Sequence, residues 1–368
     1  MPQDESQVLA FNVVTGFLGA GKTTLLNAML KHPDMDDALV IVNEFGDVGL
    51  DHLLVEASAG EVLELTSGCL CCALRGDLVE TLIRVLQERD EGRTGGFRRI
   101  VVETSGLADP APILHGIMAH PWLTRRLKLD GLVTVVDALG GADVLAAHPE
   151  AVKQAALADR LVISKADMLA ADDRRARLEN LRDLLRRINP TAEILLAGEE
   201  ACRPRRVLRA GLADAATGTI RLNGWLGLER MPEEGAEAHH SHESRDGGVE
   251  SFAIVRDAPL SPSGLEIFID LLRANFGAAL LRVKGIAGLT GDPDRPVVIH
   301  GVQHVFHAPA RLPAWPDADH RTRLVFIVRG EGVREKIVAL FEAASDPLSG
   351  SGAALADDTL SLPPGKGG

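Results

Sequence analysis

The chain has 368 residues, 46% of them hydrophobic and 25% charged, with a formal net charge of −13 at pH 7. That length buries at least one full core and leaves room for two domains, and no apolar run approaches the roughly 20 residues a membrane span requires. The acidic excess argues against nucleic acid as a partner, because affinity for it comes largely from neutralising phosphates with Lys and Arg; a single nucleotide can still be bound by a local loop. The opening "MPQDESQ" lacks the basic, apolar, small-residue order of a secretory signal, which places the protein in the cytoplasm. Thiols stay reduced there, so the four cysteines read as metal ligands or reactive groups before they read as a disulfide framework.

In chain order, short apolar runs alternate with amphipathic stretches from Val8 to about Ala197: "VLAFNVVTG", "ALVIVNEFG", "EVLELTSG", "RRIVVETSG", "GLVTVVDAL", "RLVISKAD" and "EILLA". Continuous β-rich runs are what strands covered on both faces look like. Helical stretches such as "RGDLVETLIRVLQER" and "DDRRARLENLRDLLRRI" fall between them. The alternation predicts an α/β nucleotide-loop fold with a mostly parallel sheet over 1–217. Residues 218–248, including "MPEEGAEAHHSHESRDGG", read as an acidic, His-containing linker. A smaller α+β unit is predicted over 249–345, with strands at "ESFAIVRD", "LLRVKGIAGL", "PVVIHGVQHVFH" and "TRLVFIVRG", and helices at 263–275 and "GVREKIVALFEAA". The tail, 346–368, reads as flexible.

"GFLGAGKT", Gly16 to Thr23, fits the phosphate-binding pattern G-x-x-x-x-G-K-[ST], with a predicted strand before it and a helix after it. Its glycines let backbone N–H groups surround a β-phosphate, and the helix N-terminus adds its positive dipole end. The contacts expected of it come from Gly16, Gly19, Ala20, Gly21, Lys22, Thr23 and Thr24. Lys22 would neutralise β and γ oxygens, and the Thr23 hydroxyl would serve Mg²⁺. Glu103, at the end of the strand in "IVVETSGLADP", is the candidate acidic member of the magnesium shell. Gly106 would give its N–H to the γ-phosphate. Asp137, ending "LVTVVD", suits either that shell or the role of a helix cap or turn residue. "ISKAD" resembles the N-K-x-D guanine motif with Ser164 in first place. Asp167 would accept from guanine N1 and N2, and the Lys165 stem would cover the base.

"TGFLGAGKTTLLN", "VNEFGDVGLDH", "TSGCLCC", "ETSGLADP" and, later, "RVKGIAGL" and "VVIHGVQHVF" together resemble the CobW-like GTPases, relatives of the urease and hydrogenase accessory GTPases. The resemblance covers about Val8 to Ala344, and its marker is G-C-x-C-C at Gly68 to Cys72. It implies slow, Mg²⁺-dependent hydrolysis of GTP, coupled to handling of a transition metal, usually zinc and in some members cobalt. The metal goes to a client protein, and a homodimer is compatible with the resemblance. Two positions depart from the family pattern: Asp47 stands where Glu is usual, and Ser164 where Asn is commoner.

Cys69 and Cys71, two apart in an extended loop, would share a face, while Cys72 points elsewhere unless the chain turns. Thiolates suit zinc, which takes four ligands. The resemblance brings the Glu44 loop beside both nucleotide and cysteines, making Glu44 a candidate ligand, and Glu44 and Asp47 candidates to position the attacking water. Vicinal redox thiols and small buried hydrophobes are the other readings of the cysteines. Cys202 reads as inert. His239, His240 and His242 read either as a metal-collecting loop or as a solvated linker, and His300 with His304 either as a ligand pair on one strand face or as surface residues. Two rival functions remain at this level: a P-loop kinase, and a nucleotide-gated interaction protein with structural zinc.

Overall fold

The computed structural model describes residues 8–43, 61–65, 73–209, 226, 248–307 and 309–345. Its first unit runs β1 (Leu9–Thr15), α1 (Lys22–Leu30), β2 (Ala38–Asn43), β3 (Glu61–Leu65), α2 (Ala73–Asp90), β4 (Arg99–Glu103), α3 (Pro110–Met118), α4 (Pro121–Thr124), β5 (Leu127–Asp137), α5 (Gly141–Ala147), α6 (Pro149–Leu157), β6 (Arg160–Ser164), α7 (Ala171–Ile188), β7 (Glu193–Leu196) and α8 (Pro204–Leu208). The seven strands form one sheet in the order β3-β2-β4-β1-β5-β6-β7, parallel throughout. Helices cover both faces, which is why Val13, Val14, Val101, Val102, Val162 and Ile163 are all fully buried and the strands read as continuous apolar runs. Chain order reverses around β1, whose neighbours are β4 and β5, and the region beyond the carboxyl end of such a switch point is where open α/β sheets bind ligands.

Helix α7 shows how sequence sets such an element. Asp172 and Asp173 lie in its first turn and Arg186 and Arg187 in its last, matching the helix dipole, while Leu178, Leu181, Leu185 and Ile188 form its buried stripe.

The second unit comprises β8 (Val249–Arg256), α9 (Pro262–Phe276), β9 (Leu280–Leu289), β10 (Asp292–Val302), β11 (Val305–Phe306), β12 (Ala310–Arg311), β13 (Thr322–Arg329) and α10 (Val333–Ser345). Its sheet has the order β11-β10-β9-β13-β8, with β12 on β10, and is antiparallel. One face carries α9 and α10 over Phe268, Phe326 and Phe341, packed edge to face. The other face meets the first unit, where Leu281, Val302 and Ile327 join the core built on α6 residues Ala151, Val152 and Ala155.

The expected single strand "PVVIHGVQHVFH" is broken. Gln303 takes a left-handed φ of 52°, and the chain folds back so that Val302 pairs with Val305 and Gly301 with Phe306. His304 therefore sits at an exposed turn while His300 stays in β10, and the expected His300–His304 face does not exist. No helix among the described residues is long and apolar enough to cross a membrane.

Candidate functional site

The loop between β1 and α1 is held from several sides. Gly16 runs so close to β5 that a Cβ there would lie 2.4 Å from the Val135 carbonyl oxygen, so only glycine fits. Gly21 caps α1 with a φ of 88°. Ser164, at the end of β6 and 5% exposed, donates its hydroxyl to the Ala20 carbonyl at 2.6 Å. Lys22 heads α1, and its Nζ donates to the carbonyls of Gly16 at 3.0 Å and Phe17 at 3.4 Å, which keeps the ammonium inside the loop. The Phe17 ring stacks on His148 at 4.4 Å, tying the loop to the start of α6. Gly19 has the left-handed φ of a tight turn, Ala20 is buried, and Thr24 faces outward.

The Thr23 hydroxyl donates to Glu103 Oε1 at 2.9 Å. Glu103, at the end of β4, is 4% exposed. A hydroxyl and a buried carboxylate side by side at the mouth of a phosphate loop are hard oxygen donors of the kind magnesium takes, so this pair fits the ion. Beyond β4, Thr104 hydrogen-bonds to Thr15 at 2.8 Å, locking the two strand ends together. Gly106 packs against the phosphate loop itself: a Cβ there would lie 2.6 Å from the Leu18 backbone nitrogen. Any side chain at 106 would push the two loops apart. The Gly106 loop is closed by Asp109, which accepts from the Ala111 N–H and starts α3 together with Pro110.

Asp137 is a turn residue paired with a lysine. Its Oδ2 lies 2.6 Å from Lys165 Nζ, and its Oδ1 accepts from the Leu139 N–H at 2.7 Å. The pair forms because β5 and β6 end side by side with Asp137 paired to Ser164 in register. Lys165 has a left-handed φ of 55°, which starts the short turn presenting Asp167 outward. The structure thus brings Lys22, Thr23, Glu103, Gly106, Ser164, Lys165 and Asp167 to one end of the sheet.

Asp47, Glu44, Cys69, Cys71 and Cys72, and likewise His239, His240 and His242, lie outside the described residues. Cys202 packs against the core under β7. Burial, then the nearby Glu199, pushes its thiol up to about 11, which favours the protonated form.

Two features escape a reading of the sequence. Gln154 of α6, 1% exposed, donates its side-chain amide to the carbonyls of Gly106 at 3.2 Å and Ala108 at 3.0 Å. Beside it, Lys153 meets Asp109 at 2.5 Å. At the far end of α6, Asp159 pairs with Arg282 and, at 3.2 Å, with Lys284, all buried in the seam between the units. Burial works to raise the Asp159 carboxyl, but the two cations overcome it and hold it well below the usual range. One carboxylate cannot serve two cations equally. Arg282 grips it and also donates to the Leu157 carbonyl, so burial and the Arg282 charge push Lys284 down to about 7. Burial and Arg282, whose Nη2 is 2.9 Å from the ring, likewise lower His300. Its stacked neighbour His307 is also lowered, first by burial. The legible signal is Arg282 and Lys284 themselves: two charges, two apart, in a strand otherwise apolar, which are rarely buried unless paired.

Comparison with known proteins fits this geometry. Residues 10–196 match the family model described as the CobW/HypB/UreG nucleotide-binding domain, and residues 249–345 that of the cobalamin synthesis protein cobW C-terminal domain. The zinc chaperone YjiA of Escherichia coli strain K12 is 31% identical over 320 residues, covering 87% of this chain and 93% of its own. The zinc chaperone CobW of Pseudomonas aeruginosa is 30% identical over 365 residues, covering 89% of each. The crystal structure of Zn(II)-bound YjiA GTPase from E. coli matches with a TM-score of 0.69 at 25% identity, over 92% of this chain and 99% of that one. With both family models matched in order, and the phosphate loop, the Thr23–Glu103 pair and the Lys165 turn at one end of the sheet, the chain belongs to the CobW/HypB/UreG family.

Proposed function

We propose that this protein is a magnesium-dependent GTPase that carries zinc, or cobalt, to a client metalloprotein. The observation that carries the reading is the Thr23 hydroxyl set 2.9 Å from the buried Glu103 carboxylate at the mouth of a complete phosphate loop. Its relatives named as zinc chaperones match along nearly the whole chain, which supports zinc as the cargo.

In this reading, N–H groups of Gly19 to Thr24 and the Lys22 ammonium bind the phosphates, with Gly106 N–H at the γ-phosphate. Lys165 and Asp167 select guanine. Thr23 and Glu103 would hold Mg²⁺, which supplies positive charge against the phosphate oxygens. Water attacks the γ-phosphorus in line, the bond to the β–γ bridging oxygen breaks, and GDP leaves, with Lys22 and the loop N–H groups stabilising the charge that develops. Asp47 or Glu44 positions the water. Cys69, Cys71 and Cys72, with Glu44, take the zinc. Because Glu44 would serve at both places, nucleotide state alters metal affinity, and the coupling runs both ways.

The test is product analysis with Mg-GTP and Mg-ATP. Free phosphate from GTP, lost in Lys22→Ala, is the predicted result; a phosphorylated acceptor, or preference for ATP, would overturn it. A zinc competition titration of Cys71→Ala should show weakened binding, and wild-type affinity would remove Cys71 from the site.

A further inference from the structure

Helix α6 touches the Gly106 loop through its middle residues Lys153 and Gln154, and the second unit at its last residue, Leu157. At the loop, Gln154 offers both contacts through one side-chain amide to Gly106 O and Ala108 O, while its own Oε1 has no hydrogen-bond partner among the described residues. Two carbonyl partners fix which way the amide points. The buried loop carbonyls need donors, and this side chain supplies them. Lys153, the preceding residue, holds Asp109 at the other end of the same loop. Three residues further along α6, Arg282 of β9 donates to the carbonyl of Leu157, the last residue of the helix, and to Asp159 just beyond it. Asp159 also accepts from Leu132 N–H of β5 at 3.0 Å, so the junction is anchored to the central sheet too. Asn189, buried at the end of α7, donates to the carbonyls of Ala155, Ala156 and Ala158 between 2.9 and 3.1 Å, leaving that end little freedom to fray.

We propose that α6 is a strut through which the C-terminal unit sets the position of the Gly106 loop, with Gln154 as its positioning residue at the loop and Arg282 as its grip on the far end. The proposal rests on the reading of Gly106 as a γ-phosphate contact. Its consequence is selective: a displaced loop weakens GTP and leaves GDP alone, because only the triphosphate reaches Gly106. By reciprocity, whatever binds the C-terminal unit and shifts β9 changes GTP affinity, and GTP changes affinity for that partner by the same factor.

The experiment measures GTP and GDP dissociation constants, with Mg²⁺, on the full chain for wild type, Gln154→Leu, Arg282→Lys and the double variant. Arg282→Lys keeps a cation opposite Asp159 but gives up the reach to Leu157 O. Gln154→Leu should lower GTP affinity about tenfold, the scale of one or two hydrogen bonds, with GDP affinity unchanged. Arg282→Lys should lower GTP affinity by a smaller factor, and the double variant should show no further loss, since both changes release one strut. Lys153→Ala, which removes only a part-exposed pair, should shift GTP affinity in the same direction if Gln154→Leu fails to fold. Independent multiplication of the two effects, or equal losses for GTP and GDP, would overturn the strut. The wild-type chain separates the two levels. If it binds GTP and GDP alike, the γ-phosphate reading fails; if it prefers GTP and Gln154→Leu and Arg282→Lys keep that preference, the strut alone fails.

Discussion

Strand β6 has an ion pair beyond each end, and the two are built in opposite ways. Past its carboxyl end, Lys165 and Asp137 meet with 31% and 20% of their side chains exposed. Before its amino end, Asp159, Arg282 and Lys284 are sealed, at 2%, 1% and 1%. A wetted pair contributes little to stability and changes partners at low cost, which suits the base-binding role proposed for this end. A sealed cluster gives its members nowhere to go, which suits a joint between two units. The same chemistry thus serves the proposed recognition at one end and architecture at the other, and exposure separates the two.

Breaking the sealed end should have the largest effect. Asp159→Ala leaves Arg282 buried without its carboxylate, and the cost expected is about 3–5 kcal/mol in denaturant unfolding. The open end comes next. Asp167→Asn should exchange guanine for xanthine preference by about a hundredfold in nucleotide competition, the scale of two charge-assisted hydrogen bonds. Unchanged selectivity would remove Asp167 from the base site.

The seam also predicts a pH dependence. Lys284 is lowered from 10.5 to about 7 in the folded chain. Below pH 7 both states carry its proton; from there to about 10 only the unfolded chain does. Stability should therefore rise with pH across that window, by at most about 1.4 kcal/mol per pH unit, and Lys284→Met should flatten the rise. His300 and His307, both lowered, act in the same direction at acid pH. Below about 6.5 the unfolded chain binds protons that the folded seam refuses, and stability is lost. A thermal-melting series over pH 5–10 reads both. The smallest stability effect belongs to Asp137→Asn, under about 1 kcal/mol for a part-exposed pair. Its mark should be weaker guanine-nucleotide binding, because Lys165 loses the group that aims it.

How legible each feature is in the sequence follows from how local it is. The phosphate loop can be read because its glycines, Lys22 and Thr23 act within one turn of chain, and the parallel sheet because strands buried on both faces leave unbroken apolar runs. Asp137 is half legible: a carboxylate at a strand end looks the same in sequence whether it meets an ion or a lysine, and only the register of β5 against β6 decides. The Asp159–Arg282 contact spans 123 residues of sequence, and no local pattern encodes it. His304 falls on the strand face of His300 only when a two-residue period is extended through Gln303, whose positive φ turns the chain in a way a non-glycine residue does not advertise. Gln154 carries no signal of its own in "PEAVKQAAL"; its role exists only once α6 lies against the Gly106 loop.

The most direct test of the account is a zinc competition titration of the whole protein in Mg-GTP and in Mg-GDP. The account predicts different zinc affinities in the two nucleotide states, with the difference gone in Lys22→Ala. Equal affinities in GTP and GDP would contradict it, even if phosphate were still released.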